Sequence, residues 1–151
     1  MTAPTLRPAT PDDVPAIVAL LEANHLPAVE LEEHLDHVVV AELDGRIAGC
    51  GGLEVYPDCD AGLVRSMAVE EELQGSGLGA RILAWVEEHA RSLGIRELFL
   101  FTMNAREFYA RFGFKDATVD DFPACARRSA QYRFVRQRGN EWGVVAMRRE
   151  A

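Results

Sequence analysis

A glycine-rich segment, Gln74-Gly75-Ser76-Gly77-Leu78-Gly79, lies between a β-rich stretch and a long helical stretch of the sequence. Glycines let the backbone approach a ligand closely, and the first amides of a helix have no acceptor within the helix. A turn of this kind at the start of a helix is therefore suited to the oxygens of a diphosphate. The segment predicts a binding site for a diphosphate-bearing cofactor or substrate.

A second segment, Phe108-Tyr109-Ala110-Arg111-Phe112-Gly113-Phe114, places a tyrosine on a short predicted helix that ends at its glycine. A tyrosine hydroxyl has an ordinary pKa near 10 and can protonate a leaving group, so Tyr109 is a candidate general acid. Ala105, Phe108 and Phe112 form the predicted packing stripe, which puts Tyr109 on an adjacent helix face. The alternative is a tyrosine that only caps the core.

The elements that must position these segments can be read from periodicity and turn residues. A helix is predicted to start at Thr10, with Asp13 completing a capping box, and Asp44-Gly45 predicts a hairpin turn. The central helix is predicted to end at Gly94. The predicted strands are 6–7, 37–43, 46–56, 61–69, 97–103, 114–118 and 144–148; the later helices are 31–35, 77–93, 105–112 and 124–136. This order predicts an α/β fold with a mixed sheet.

The spacings Gln74-x-x-Gly77-x-Gly79 and Phe108-Tyr109-x-x-x-Gly113-Phe114, in this order, resemble two signatures of the GCN5-related N-acetyltransferase (GNAT) superfamily. Within it, the segments 63–69 and 120–129, together with Thr102, look most like arsenic-resistance-type N-acetyltransferases and the acetyltransferase domain of N-acetylglutamate synthases. The resemblance implies a single GNAT domain over residues 1–151. It also implies a mixed, mostly antiparallel sheet of six to seven strands, with splayed central strands and about four flanking helices.

The resemblance implies acetyl-CoA as the acetyl donor and assigns residues to it. Met67 and Val69 would offer backbone donors to the pantetheine arm, and the amide of Val69 would also face the oxyanion. Side chains of Gln74 and Arg81 would add donors, although Arg81 is equally consistent with a solvated helix charge. The backbone donors that would face the pyrophosphate are those of Gln74, Gly75, Gly77, Gly79 and Ala80.

The sequence departs from the common family pattern at the position of the general base, where many members have glutamate and this chain has Leu63. Glu54 on the preceding strand is the nearest candidate and would act through water; a solvent-facing strand residue is the alternative. Strand alternation is predicted to put Arg65 on the same face as Leu63, Met67 and Val69, where its guanidinium could bind a carboxylate, phosphonate or arsonate of the substrate. A structural ion pair with an acid of residues 30–36 is the other interpretation of Arg65.

Composition excludes some classes of function. The net charge of −8 argues against nucleic-acid binding, and no segment is long and apolar enough to predict a membrane span. Three cysteines without a CxxC pair, Cys50, Cys59 and Cys125, predict reduced thiols and a cytoplasmic protein. His34-x-x-His37 lacks an obvious third ligand, so no metal is expected.

The resulting hypothesis is an N-acetyltransferase that moves acetyl from acetyl-CoA to the primary amine of a small, anionic, amino-acid-like metabolite or xenobiotic. Direct attack in a ternary complex is the expected route. The alternatives are a non-catalytic acyl-CoA sensor and a protein N-acetyltransferase. Gly75-x-Gly77-x-x-Ala80 also satisfies a dinucleotide fingerprint, but it does not open a βαβ unit and no ribose-binding acid follows. A homodimer, common in the family, is left open.

Overall fold

The computed structural model describes residues 3–151. The chain forms two compact units: Met1–Leu53 with Arg65–His89, and Glu54–Val64 with Ala90–Ala151. The strands within the described residues are β1 (Thr5–Pro8), β2 (Val38–Leu43), β3 (Arg46–Glu54), β4 (Ala61–Val69), β5 (Glu97–Thr102), β6 (Lys115–Ala117) and β7 (Val145–Glu150). The α-helices there are α1 (Val14–Ala23), α2 (Leu78–Ser92), α3 (Arg106–Arg111) and α4 (Ala130–Trp142).

The strands form a seven-stranded sheet in the order β1-β2-β3-β4-β5-β7-β6. β4 and β5 are parallel, and their ladder joins Ala61–Val64 to Glu97–Leu100. The β1–β2, β2–β3, β5–β7 and β6–β7 pairs are antiparallel. The mixed, mostly antiparallel sheet and the α/β class predicted from the sequence are thus confirmed.

In the first unit, the helix cap and the hairpin turn that the sequence predicts are both present. The capping box between Thr10 and Asp13 is present at the entry to α1. Asp44 and Gly45 have φ values of 51° and 78°, as the two central residues of a type I′ hairpin turn require. A Cβ on Gly51 would lie 2.5 Å from Cγ2 of Ile82, so glycine allows α2 to pack closely on β3. The apolar stripe of α1 lies against β2 and β3 around Cys50.

The second unit has its own apolar cluster, in which Phe122 packs against both Phe99 of β5 and Tyr132. The single helix predicted over 124–136 is wrong in detail. A 3-10 helix, Ala124–Arg128, is followed by Ser129 in extended conformation (ψ 132°), which caps α4 by accepting from the amide of Tyr132. Serine favours this break because its hydroxyl can replace a helical acceptor. The predicted helix near residues 31–35 is a 3-10 helix, Glu32–His37.

The cysteines correct another prediction. Cys59 and Cys125 form a disulfide, so the expectation of reduced thiols was wrong for this pair. The fold brings their Cα atoms to 5.6 Å, a proximity that sequence separation cannot reveal. Cys50 is a free, buried thiol, and burial raises its pKa to about 12. The cytoplasmic location loses this support and stays a prediction. No helix of the described residues has the length and apolarity needed to span a bilayer.

Candidate active site

The glycine-rich segment of the first unit joins β4 to α2. After Val69 the chain makes a 3-10 turn, Glu71–Leu73, and enters α2 at Leu78. Gly75 and Gly77 have φ values of +83° and +92°, and no atom lies within 4 Å of where a Cβ would stand on either. Backbone conformation, and not crowding, therefore demands glycine here. The open space beside these glycines is what a closely approaching ligand needs.

Polar side chains at the surface make hydrogen bonds within this segment and to its start. The side-chain Nε2 of Gln74 donates to the carbonyl of Val69 at 3.3 Å, and the hydroxyl of Ser76 donates to the carbonyl of Leu73. Arg46 holds the Glu70 carboxylate with contacts of 2.9 and 3.0 Å, and these hydrogen bonds lower the pKa of Glu70. The side chain of Gln74 is thus engaged with its own loop. Its predicted role as a ligand donor stays a prediction.

The remaining residues expected to bind acetyl-CoA lie in the first turn of α2 and at the end of β4. The amide of Arg81 donates to the carbonyl of Gly77 at 3.2 Å, which is the first bond of the helix. Gly79 and Ala80 precede it, so their amides belong to the group without acceptors inside the helix. Arg81 itself is exposed, and Met67 and Val69 of β4 are half-buried. These positions are consistent with an anion at the helix start.

A break in β4 lies immediately before Met67. Ser66 has a φ of 59°, in the left-handed region, and Nε of Arg65 donates to its hydroxyl at 3.0 Å. Neighbouring side chains of a regular strand point to opposite faces, so this contact marks a β-bulge. The alternation predicted from Leu63 to Val69 is therefore interrupted at Ser66. Arg65 is buried, with 3% of its surface exposed, and its substrate-binding role stays a prediction.

Glu54 is the last residue of β3 and belongs to the second unit. Only 2% of its surface is exposed, so the alternative of a solvent-facing strand residue was wrong. The hydroxyl of Tyr56 donates to its Oε1, and Nε2 of Gln131 donates to its Oε2 at 3.0 Å. Each carboxylate oxygen thus has a donor, which a buried carboxylate requires.

Tyr109 lies on α3 in the same unit, with 7% of its surface exposed. The predicted packing stripe was wrong: Phe108 and Phe112 are half-buried, and Tyr109 is the buried residue. Gly113, at φ +92°, turns the chain so that Phe114 packs its ring edge against Tyr109 at 5.6 Å. Burial raises the pKa of Tyr109 above its ordinary value of 10, because the phenolate would lose its hydration. The side chain is therefore a neutral phenol across the ordinary pH range and a weaker acid than an exposed tyrosine, and its role as general acid stays a prediction.

The family profile described as "Acetyltransferase (GNAT) domain" matches residues 34–116, which include the glycine-rich segment and Tyr109. The chain belongs to this family. The chain is 32% identical over 131 residues to the amino-acid acetyltransferase of Neisseria meningitidis serogroup A, and 38% over 130 residues to that of Ralstonia nicotianae. Both matches cover 82% of the chain, but only 30% and 29% of the relatives. The chain thus spans about a third of their length.

Two solved structures also match nearly the whole chain. N-acetylglutamate synthase from Neisseria gonorrhoeae, complexed with coenzyme A and N-acetyl-glutamate, superimposes with a TM-score of 0.80 at 30% identity. That match covers 99% of this GNAT chain and 35% of the synthase. A Mycobacterium tuberculosis protein in complex with CoA matches with a TM-score of 0.81 at 29% identity, over 98% of this chain and 99% of the other.

Histidines of the first unit of this GNAT chain make two further clusters. Nδ1 of His37 lies 2.9 Å from Nε2 of His89, and burial lowers the pKa of both imidazoles. Ligand atoms of Glu30, Glu33 and His34 lie within 4.8 Å of one another. The expectation that the protein uses no metal stays a prediction.

Sequence reasoning missed Tyr56 and Gln131, the donors to Glu54. Tyr56 stands two residues from Glu54, a spacing that brings side chains to one face of a strand, and this is a signal that could have been used. Gln131 is 77 residues away, and nothing in its sequence context indicates the contact.

Proposed function

We propose that this protein is an N-acetyltransferase that transfers the acetyl group of acetyl-CoA to the α-amine of a small anionic amino acid. The observation that carries the proposal is the open turn at Gly75 and Gly77, inside the segment that the GNAT profile matches. Relatives named amino-acid acetyltransferase, and a synthase solved with coenzyme A and N-acetyl-glutamate, support both halves of the reaction.

On the donor side, the backbone of the glycine-rich segment binds the pyrophosphate of acetyl-CoA. Amides of Gly75, Gly77, Gly79 and Ala80 offer hydrogen bonds without help from a large positive field, which matters in a chain of net charge −8. Met67 and Val69 bind the pantetheine arm through their backbone. Arg81 adds a charge at the exposed edge of the helix start.

The chemistry is direct attack in a ternary complex. The neutral amine forms an N–C bond with the acetyl carbonyl carbon, and the negative charge that develops on the carbonyl oxygen meets the amide of Val69. The C–S bond then breaks, and Tyr109 gives its proton to the thiolate that leaves. Before the attack, Glu54 acts through water to take the proton that the substrate ammonium group must lose to become the neutral amine.

The acceptor is expected to carry a carboxylate, because Arg65 is a buried guanidinium beside the bulge at Ser66. A guanidinium binds a carboxylate with two parallel hydrogen bonds, and a phosphonate or arsonate would satisfy the same geometry. Glutamate-like amino acids are the first acceptors to examine, and xenobiotics with the same charges are the second. A cytoplasmic location remains part of the proposal, and the oligomeric state stays open.

Thermal unfolding with acetyl-CoA and, separately, with NAD tests the donor site. A ligand present at 100 times its dissociation constant adds about 2.7 kcal/mol to the free energy of unfolding. For a domain of this size the midpoint should rise by about 5–10 °C. We expect the rise with acetyl-CoA and none with NAD. A rise with NAD alone would mean that the glycines bind a dinucleotide.

A further inference from the structure

The carboxylate of Glu54 is held by residues from two separate segments of the second unit. Tyr56 follows β3 and donates to Oε1, whereas Gln131 is the second residue of α4 and donates to Oε2 at 3.0 Å. One donor on each oxygen restricts rotation of the carboxylate about its terminal bond. A general base must keep its oxygen aimed at the proton it accepts, so this restriction bears on turnover.

Gln131 is itself placed by rigid surroundings. Ser129, which is fully buried, caps α4 by accepting from the amide of Tyr132 at 3.3 Å. The ring of Tyr132, the residue next to Gln131, packs 5.2 Å from that of Phe122 in the apolar cluster. The start of α4 is therefore held in place, and this fixes the backbone position from which the side-chain amide of Gln131 reaches Glu54.

The segment before α4 is joined to the segment that carries Tyr56. The disulfide links Cys59 to Cys125 in the 3-10 helix Ala124–Arg128, and the guanidinium carbon of Arg128 lies 5.8 Å from the centre of the Tyr56 ring. A covalent link and a cation–π contact thus hold together the two segments that supply the donors to Glu54.

We propose that Gln131 and Tyr56 are positioning residues of the acetyl transfer, which act by orienting the carboxylate of Glu54. The inference rests on the proposed function, because it needs Glu54 to serve as the base. Gln131 need not touch either substrate. Loss of its amide should lower turnover and leave the Michaelis constant for acetyl-CoA unchanged.

A double-mutant cycle tests this directly. Gln131→Leu should lower kcat about tenfold in the wild-type background, the usual cost of removing a hydrogen bond to a charged group. In the Glu54→Gln background the same change should lower kcat less than twofold, because the group that it orients is gone. Gln137→Leu, an exposed glutamine of the same helix, is the matched control and should have no effect in either background.

The outcomes separate cleanly. An equal loss of kcat from Gln131→Leu in both backgrounds, or no loss at all, would overturn the positioning role. The proposed function would still stand in that case, because the wild-type protein transfers the acetyl group. A wild-type protein that transfers no acetyl group would overturn the proposed function itself and the inference with it. If thermal unfolding shows that Gln131→Leu does not fold, the same cycle is run with Tyr56→Phe in place of Gln131→Leu. That variant removes the donor to the other carboxylate oxygen of Glu54, so it tests the positioning role independently.

Discussion

Cys59 and Cys125 are bonded to each other across a sequence separation of 66 residues. Cys59 lies in the turn between β3 and β4, and Cys125 lies in the 3-10 helix that precedes α4. The bond therefore closes a long loop within the second unit. Closing such a loop stabilises a protein chiefly by restricting its unfolded chain.

Reduction of this disulfide should destabilise the protein. For a loop of this length the loss is about 4 kcal/mol, or roughly 10 °C in the thermal midpoint. The measurement is thermal unfolding with and without a dithiol reductant. Cys59→Ser should unfold at the lower midpoint in both conditions and serves as the control. An identical midpoint for oxidised and reduced wild-type protein would show that the bond contributes nothing to stability.

Gly77→Ala should weaken acetyl-CoA binding by about tenfold or more. An alanine at φ +92° carries a conformational cost of about 1–3 kcal/mol and places a methyl group in the open space of the turn. Isothermal titration calorimetry gives the dissociation constant. The matched control is Gly45→Ala, at φ +78° in the hairpin turn, which should lower stability similarly and leave acetyl-CoA affinity unchanged. Equal affinities in both variants would remove the glycine-rich turn from the donor site.

Tyr109→Phe should lower kcat by about a hundredfold, the lower end of what general acid catalysis supplies. The Michaelis constant for acetyl-CoA should not change, because the ring and its packing against Phe114 remain. Steady-state kinetics of coenzyme A release gives both values. Tyr132→Phe, which removes the buried hydroxyl that accepts from Arg136, is the control. Turnover unaffected by Tyr109→Phe would mean that another group protonates the thiolate.

Arg65→Lys should raise the Michaelis constant for the amino-acid acceptor about tenfold and leave that for acetyl-CoA unchanged. An ammonium group cannot reproduce the two parallel hydrogen bonds of a guanidinium. Arg46→Lys, at a surface pair with Glu70, controls for the loss of any arginine from the first unit. A lower thermal midpoint with unchanged Michaelis constants would assign Arg65 to a structural ion pair.

Asp13 should make stability depend on acid pH. Hydrogen bonds from Arg7, at 2.8 and 2.9 Å, and the amide of Thr10 lower its pKa from 3.8 to about 2. Because the folded pKa is the lower one, the carboxylate stabilises the protein fully above pH 4 and loses this effect as pH falls towards 2. Asp13→Asn should therefore cost about 1–2 kcal/mol at pH 6 and much less at pH 2.5. Urea unfolding at both pH values measures the difference.

The exposed neighbour Asp12 supplies the control for that experiment. Asp12→Asn should leave the free energy of unfolding nearly unchanged at both pH values, because Asp12 lies on the solvent side of the turn. If Asp13→Asn costs the same free energy at pH 6 and pH 2.5, the ion pair with Arg7 does not stabilise the fold.

Local sequence signals predicted the parts of the fold that depend on neighbouring residues. Asp44-Gly45 formed the hairpin turn, and Gly94, at φ +78°, follows the end of α2 as expected of a helix-terminating glycine. The bulge at Ser66 was invisible, because serine carries no signal for a left-handed conformation within a strand. That single residue interrupts the alternation on which the predicted face of Arg65 depended.

In the candidate site, too, the sequence predicted the local turn and did not predict the long-range contacts. The glycine residue type at positions 75 and 77 indicates a turn with left-handed backbone, and both residues have positive φ. Tyr109 is buried in part because the chain turns at Gly113 and brings Phe114 against its ring. The contact between Gln131 and Glu54 joins residues that are 77 positions apart in the sequence. Contacts of this kind arise from tertiary packing, which no local pattern encodes.

The most direct measurement is mass spectrometry of the products formed from acetyl-CoA and a panel of amino acids by the purified protein. The panel pairs glutamate and aspartate with their amides, glutamine and asparagine, so that each acid has a neutral partner of similar shape. We expect an N-acetylated acid and an equal amount of free coenzyme A, with much less product from the amides. Acetyl-CoA that binds and is never consumed with any amine would contradict the proposed function and identify a sensor.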